Sequence, residues 1–148
     1  LGKEYTYVVA GEGPERDNIL RAAEQSDVAG RLKMLGRISD EHLRFLYSRA
    51  HALILPNQRI GADPEGFGIV AIEAASYGLP VIANSVDGLS EAVLNGRTGW
   101  LVGHNDIDGF VEKVREPGLD PRAVKEASEA FSWERVIKKY EEEIDAIS

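Results

Sequence analysis

Short apolar runs alternate with longer segments of helical spacing along the whole chain, and this alternation restricts the fold more than any other feature. The apolar runs predict strands at residues 5–10, 32–35, 52–55, 81–83 and 100–102. The intervening segments predict helices at residues 15–26, 40–48, 67–77, 89–94, 107–115, 122–131 and 133–147. Strands that alternate with helices form a parallel sheet covered by helices on both faces, so we predict an α/β fold.

The ends of several predicted helices carry residues that favour helix termini. Ser39 or Asp40, Asn105, Asp120 before Pro121, and Ser132 are suited to N-caps, and Gly78 before Leu79-Pro80 is suited to a C-terminal stop. These signals support the helix boundaries given above.

Composition indicates one acidic domain. The 148 residues are 43% hydrophobic, which is enough for a sizeable core, and the formal net charge of −8 argues against nonspecific nucleic-acid binding. The absence of cysteine excludes disulfides and thiolate chemistry and favours a cytoplasmic location. The longest apolar stretch, residues 69–83, is interrupted by Glu73, Gly78 and Pro80, and is too short for a spanning helix.

Two carboxylates flank a glycine-hinged junction between a loop and a helix. Glu65 stands at its start and Glu73 lies inside the helix, with Gly66 and Gly68 between them. Residues 69–77 are otherwise almost all apolar or small, so we expect a helix that is buried nearly all round. Burying the Glu73 carboxylate in such a helix costs free energy unless it accepts hydrogen bonds, either from the protein or from a hydroxyl-rich ligand.

The junction also offers backbone donors. It follows the predicted strand 52–55, so it lies at the edge where open α/β sheets bind ligands. The first N–H groups of the helix, at Phe67, Gly68 and Ile69, have no intrahelical partners and carry the positive end of the helix dipole, which suits phosphate. The sequence therefore indicates a binding site for a phosphorylated ligand.

These motifs together resemble the donor-binding domain of GT-B glycosyltransferases, in the large retaining family with the Glu-x7-Glu signature. The resemblance covers nearly the whole chain from Tyr5. Its motifs are residues 8–15 (VVAGEGPE), 35–39 (LGRIS), 65–73 (EGFGIVAIE), 77–83 (YGLPVIA) and 95–99 (NGRTG). The resemblance implies a Rossmann-like sheet and retaining, metal-independent transfer of a hexosyl group from a nucleotide-diphosphate sugar to an acceptor hydroxyl, without a cofactor.

The resemblance also implies roles for the two acids and the residues between them. Glu65 would contact the donor sugar near the anomeric carbon, as the catalytic carboxylate, and Glu73 would accept hydrogen bonds from the ribose hydroxyls. The backbone at Gly66, Phe67, Gly68 and Ile69 would hold the β-phosphate and the sugar.

The resemblance further places the base and narrows the donor. Arg37 and Ile38 would meet the edge of the nucleotide base. Residues 57–63 are more similar to lipid-linked mannosyltransferases than to glycogen synthases, which favours GDP-mannose or a UDP-hexose as the donor.

Other interpretations remain open for each acid and for the chain. Glu65 could merely complement the helix dipole, and Glu73 could be satisfied by a buried arginine or by backbone amides. A noncatalytic nucleotide-sugar-binding module and a nucleotide-sugar epimerase or phosphorylase on the same scaffold are alternatives to a transferase. The scattered histidines have no ligand spacing, so we expect no metal site.

The start of the chain departs from the family pattern. The resembled domain opens with a further strand and helix that carry cationic residues facing the diphosphate, and an N-terminal acceptor domain precedes it. We therefore expect this chain to be an inactive fragment of a larger two-domain enzyme. The missing strand would be central, so either another chain, including a second copy, pairs with the unpaired sheet edges, or the sheet rearranges.

Overall fold

The computed structural model describes residues 1–26, 28–57 and 68–145 of the chain. It divides into two compact units, Leu1–Leu46 and Tyr47–Ser148.

The first unit holds a two-stranded parallel sheet. Its elements are β1 (Tyr7–Ala10), α1 (Arg16–Gln25), a 3-10 turn (Ala29–Arg31), β2 (Leu32–Gly36) and the start of α2 (Asp40–Arg49), which ends in the second unit. β1 pairs with β2, and the Gly11 N–H extends this pairing to the Gly36 carbonyl at 2.8 Å. Ala23 is the single buried hydrophobic residue among the described residues of this unit, so its core is small.

The second unit holds a three-stranded parallel sheet and most of the core. Its elements are β3 (Leu53–Leu55), α3 (Ile69–Ser76), β4 (Val81–Asn84), α4 (Asp87–Ala92), β5 (Gly99–Val102), α5 (Ile107–Arg115), α6 (Pro121–Ser128), a 3-10 turn (Glu129–Phe131) and α7 (Trp133–Asp145). β4 is the central strand, hydrogen-bonded to β3 on one side and to β5 on the other. The register places Ile82 opposite Ile54 and Trp100.

Burial is concentrated on β4. Val81, Ile82 and Ala83 are 0% exposed, as expected for a parallel strand covered on both faces. The carboxyl ends of parallel strands share one edge, so the segments that follow β3, β4 and β5 leave the sheet together. That edge is where the sequence predicts a ligand.

All five predicted strands are present, and most helix boundaries fall within a few residues of the prediction. Asp120 caps α6 by accepting from the N–H groups of Arg122 and Ala123, which confirms its predicted role. Asn105 is not a cap: it has a positive φ of 60°, and the adjacent Asp106 caps α5 by accepting from the Gly109 N–H instead. The helix predicted over residues 122–131 is α6 followed by the second 3-10 turn.

The hydrogen-bonded strands form two sheets, not one. β1 pairs with β2, β3 pairs with β4, and within the described ranges neither β1 nor β3 has a partner on its other side. Each of these two strands therefore has one edge without a strand partner among the described residues.

The C-terminal helix α7 makes few contacts with the rest of its unit. Trp133, Ile137, Tyr140 and Ile144 follow one face at spacings of three and four residues, and Trp133 is 78% exposed. Nowhere in residues 1–26, 28–57 or 68–145 does a helix combine the length and apolar character needed to cross a membrane.

The contact between β4 and β5 predicts a severe effect of one methyl group. A Cβ on Gly99 would overlap the backbone carbonyl of Val81, and neither strand can shift without breaking the sheet. We expect Gly99→Ala to lower the free energy of unfolding by about 3 kcal/mol, measured by urea denaturation. Gly103→Ala is the matched control, because a Cβ there meets only Asp106 at an ordinary 3.8 Å. Equal stability of the two variants would contradict the prediction.

Candidate functional site

α3 begins at a glycine, which leaves its amino end without a side-chain cap. Gly68 is the N-cap residue, with a left-handed φ of 74° and no side-chain hydrogen bond to the first turn. A Cβ there would lie 2.9 Å from Leu89 Cδ2 and 3.2 Å from Ala92 Cβ, so the glycine also lets α3 approach α4. The N–H groups of Ile69 and Val70 lie in the first turn, where an α-helix provides no acceptor. The helix thus presents backbone donors and the positive end of its dipole at this end.

The expectation that this helix is buried nearly all round is wrong. Ala71, Ala74 and Ala75 form its buried face, whereas Ile69 is 64% exposed and Glu73 is also exposed. Small side chains on one face are sufficient to pack α3 against β4 and α6, so the bulkier residues point outward. The carboxylate of Glu73 therefore avoids the desolvation cost that a fully buried helix would impose.

Glu73 nevertheless has a protein donor. The hydroxyl of Tyr47, near the end of α2, donates to Glu73 Oε2 at 3.4 Å, which is a long hydrogen bond. This donor is neither the arginine nor the backbone amides considered from the sequence. Twenty-six residues separate the two side chains, so no local pattern points to the contact.

Tyr47 is held in place by burial and by a second aromatic ring. It is 7% exposed, and its ring centroid lies 5.8 Å from that of Tyr77 at an interplanar angle of 43°. Tyr77 is the C-cap residue of α3 and follows Glu73 by four residues. Burial, the charge of Glu73 and the hydrogen bond to it raise the pKa of Tyr47 to about 12, so its hydroxyl keeps its proton at neutral pH.

A buried amide lies at the carboxyl end of β4. Asn84 is 4% exposed, and its Nδ2 donates to the Asn57 carbonyl at 2.8 Å, which links the ends of β4 and β3. Its Oδ1 is buried, and no group in residues 1–26, 28–57 or 68–145 donates a hydrogen bond to it. An unpaired buried acceptor costs free energy, and such groups in native proteins often mark a functional site. Sequence reasoning missed Asn84, although a polar residue that ends an apolar strand was a usable signal.

The remaining predicted site residues fall into two groups. Arg37 and Ile38 follow β2 directly, as predicted, and belong to the first unit. Glu65, Gly66 and Phe67 lie outside the described residues. Of the predicted site, the structure thus describes Gly68, Ile69 and Glu73 together on α3.

A cleft of about 630 Å³ opens at the opposite edge of the three-stranded sheet. Tyr47 and Tyr77 line it, together with residues 48, 50–51, 78–80 and 117–121. The segments that precede β3 and β4 form part of its wall, so it does not lie at the edge where α3 begins. Among the described residues, no cluster of three or more His, Asp or Glu side chains is arranged to hold a metal ion.

The segment at residues 95–99 builds a turn that starts β5. Gly96 has a φ of 74°, Thr98 Oγ1 accepts from the Leu94 N–H at 2.9 Å, and Asn95 Oδ1 accepts from the Leu101 N–H at 2.9 Å. Thr98 is 1% exposed. This motif therefore has a structural explanation.

The coupling between Tyr47 and Glu73 predicts a change in titration. Glu73→Gln removes the carboxylate charge, so the pKa of Tyr47 should fall from about 12 but stay above 10.0, because burial of the ring remains. The phenol stabilises the fold below pH 10.0, its value without the protein environment, and this contribution disappears as the pH rises towards 12. In Glu73→Gln the free energy of unfolding should therefore fall over a narrower pH range above 10.0 than in the unmodified protein.

The measurement is NMR of tyrosine labelled at the ring Cζ carbon, with Tyr47→Phe to assign the signal. Glu126→Gln, an exposed acid on α6, is the matched control and should leave the titration of Tyr47 unchanged. An unaltered Tyr47 midpoint in Glu73→Gln would show that the two groups do not interact.

Comparison with known proteins gives consistent matches. The family model described as "Glycosyl transferases group 1" matches residues 1–131. A glycogen synthase from Mycobacterium tuberculosis is 33% identical over 139 residues, which cover 88% of this chain and 32% of that protein. A GDP-mannose-dependent alpha-(1-6)-phosphatidylinositol monomannoside mannosyltransferase from Mycolicibacterium smegmatis is 34% identical over 116 residues, which cover 77% of this chain and 30% of that protein.

A solved structure agrees with the sequence matches. The sucrose-phosphate synthase of Thermosynechococcus elongatus superposes with a TM-score of 0.73 at 29% identity, over 95% of this chain and 39% of that one. The fold is therefore the α/β, Rossmann-like fold of GT-B glycosyltransferases, as predicted. The chain spans about a third of the length of the curated relatives, 32% and 30% in the two cases above.

Proposed function

Because the chain belongs to the group 1 glycosyltransferases, we propose that it forms the donor-binding part of a hexosyltransferase that uses a nucleotide-diphosphate sugar. The group transferred is a mannosyl or glucosyl unit, the acceptor is a hydroxyl, and the anomeric configuration is retained. A larger protein supplies the acceptor site, in line with the short span of this chain on its relatives.

The observation that carries the proposal is the arrangement of one face of α3. Ile69 and Glu73 are four residues apart in α3, so their Cβ atoms lie on the same side of the helix, about 5–6 Å apart. The first-turn amide of Ile69 and the exposed carboxylate of Glu73 are therefore neighbours. The amide end suits a phosphate, and the carboxylate suits vicinal hydroxyls. A nucleotide-diphosphate sugar carries both groups, on its diphosphate and on its ribose.

Within this proposal each residue has a defined role. Glu73 accepts hydrogen bonds from the ribose hydroxyls, and the backbone from Gly66 to Ile69 holds the β-phosphate and the sugar. Glu65 contacts the donor sugar and stabilises the positive charge that develops at the anomeric carbon. Arg37 and Ile38 meet the nucleotide base.

The chemistry demanded of these groups is mainly electrostatic. The departing diphosphate gains negative charge, and oriented N–H groups at a helix start stabilise it without reorganisation. The sugar gains oxocarbenium character, which a nearby carboxylate stabilises. The Glu73 carboxylate, already engaged by Tyr47 and assigned to ribose, is not required as a nucleophile.

The relatives give support for the type of donor. The mannosyltransferase from Mycolicibacterium smegmatis is named for its dependence on GDP-mannose. The glycogen synthase relative is named for synthesis of a glucose polymer. We therefore propose GDP-mannose or a UDP-hexose as the donor of this protein.

The role of Glu73 is tested by affinity for the donor. Charge-assisted hydrogen bonds contribute roughly 1.5–3 kcal/mol, so Glu73→Gln should weaken nucleotide-sugar binding by about one to two orders of magnitude. Isothermal titration calorimetry with UDP-glucose, GDP-mannose and ADP-glucose measures this and also identifies the base. Glu126→Gln controls for a loss of surface charge. An unchanged dissociation constant in Glu73→Gln would overturn the assigned role.

The role of Glu65 is tested by turnover. In the full-length protein, Glu65→Gln should lower kcat by about 100-fold while the donor KM changes much less, because the carboxylate acts mainly on developing charge. Transfer of a radiolabelled sugar to the acceptor fraction provides the rate. Equal losses in Glu65→Gln and Glu126→Gln would argue against a catalytic role, and the absence of any transfer by the unmodified protein would favour a noncatalytic binding module.

A further inference from the structure

We propose that Tyr47 is a positioning residue for the donor site, which holds the Glu73 carboxylate in the orientation that receives the ribose hydroxyls. This inference rests on the proposed function of Glu73. It assigns a task to a residue on a different helix, outside every motif that the sequence analysis selected.

Glu73 is exposed on α3. A glutamate on an exposed helix face samples several rotamers, and a ligand that binds it must pay for the loss of that freedom. A fixed donor on the protein reduces this cost before the ligand arrives. The Tyr47 hydroxyl, 3.4 Å from Oε2, is the donor that the described residues provide.

Tyr47 is itself held rigidly. Its ring is buried and packs against Tyr77, the C-cap residue of α3, so its hydroxyl has a fixed position relative to that helix. The ring contact with Tyr77 and the hydrogen bond to Glu73 therefore both constrain Tyr47. Packing of the ring alone would not require the Tyr47 hydroxyl to lie beside the Glu73 carboxylate.

The Glu73 carboxylate can accept further hydrogen bonds besides the one from Tyr47. An ionised carboxylate has about four lone-pair positions on its two oxygens, and the Tyr47 hydroxyl occupies one of them. Oε1 and the second position on Oε2 remain for two vicinal hydroxyls. Burial and the neighbouring charge keep the pKa of the phenol near 12, so Tyr47 stays a donor wherever the enzyme works.

The length of the hydrogen bond is consistent with this role. Hydrogen bonds of catalytic and binding groups are often long without a ligand and tighten in the complex. A bound ribose would shorten the contact that Tyr47 already makes with Glu73.

A double-mutant cycle tests the inference. Tyr47→Phe keeps the ring and removes the hydroxyl, so it should raise the dissociation constant of UDP-glucose or GDP-mannose about fivefold. In a Glu73→Gln background the same substitution should change the constant by less than about twofold, because the group that Tyr47 positions is already lost. Tyr77→Phe is the matched control, since its ring keeps its packing against Tyr47, and in the part of the chain that the structure describes the hydroxyl on Glu73 comes from Tyr47. It should leave affinity within about twofold.

The outcomes separate the two proposals. If Glu73→Gln weakens binding and Tyr47→Phe does not, the positioning role is wrong and the proposed function stands. If Tyr47→Phe weakens binding equally in both backgrounds, Tyr47 acts through packing and the inference is overturned. If Glu73→Gln has no effect, both proposals fail. Circular dichroism and thermal unfolding verify the fold of each variant. If Tyr47→Phe does not fold, Tyr47→His replaces it, and because this smaller ring retains a donor, the variant should keep part of the affinity of the unmodified protein.

Discussion

The burial of β4 between β3 and β5 is the constraint on which the second unit depends. Its residues Val81, Ile82 and Ala83 are inaccessible to solvent, and their parallel pairing brings the carboxyl ends of three strands to one edge. At that edge Asn84 links β4 to the end of β3. Gly99 allows β5 to approach Val81 closely enough for this pairing to form.

The packing of α3 decides the chemistry of the site. Alanines on its inner face bring the helix close to its neighbours, and Gly68 brings its start against α4. The larger side chains then have no space inside, so Glu73 faces outward beside the first-turn amides. The result is an exposed face that carries Glu73 and Ser76 beside the apolar Ile69 and Val70.

Much of the fold was predictable from the sequence because it depends on local patterns. The five strands are short apolar runs between turn residues, and Asp120 before Pro121 is a strong signal for a helix start. The face of α3 was not predictable, because a helix with apolar residues at nearly every position has no periodic pattern from which to identify its buried side. The N-cap of α5 was assigned to Asn105 instead of Asp106 for a related reason. Both residue types are suitable caps, and only the backbone angles and the hydrogen bond to Gly109 distinguish them.

By itself, the sequence determined the order of the elements, the edge of the sheet at which α3 begins, and the spacing of the two acids. These depend on hydrophobic runs, on glycine and proline, and on residues close together in the chain. The exposure of Glu73, its hydrogen bond from Tyr47, and the burial of Asn84 Oδ1 without a partner among the described residues emerge only from the tertiary structure. Each of these depends on how separate elements pack, and contacts between residues distant in the chain leave no trace in local periodicity.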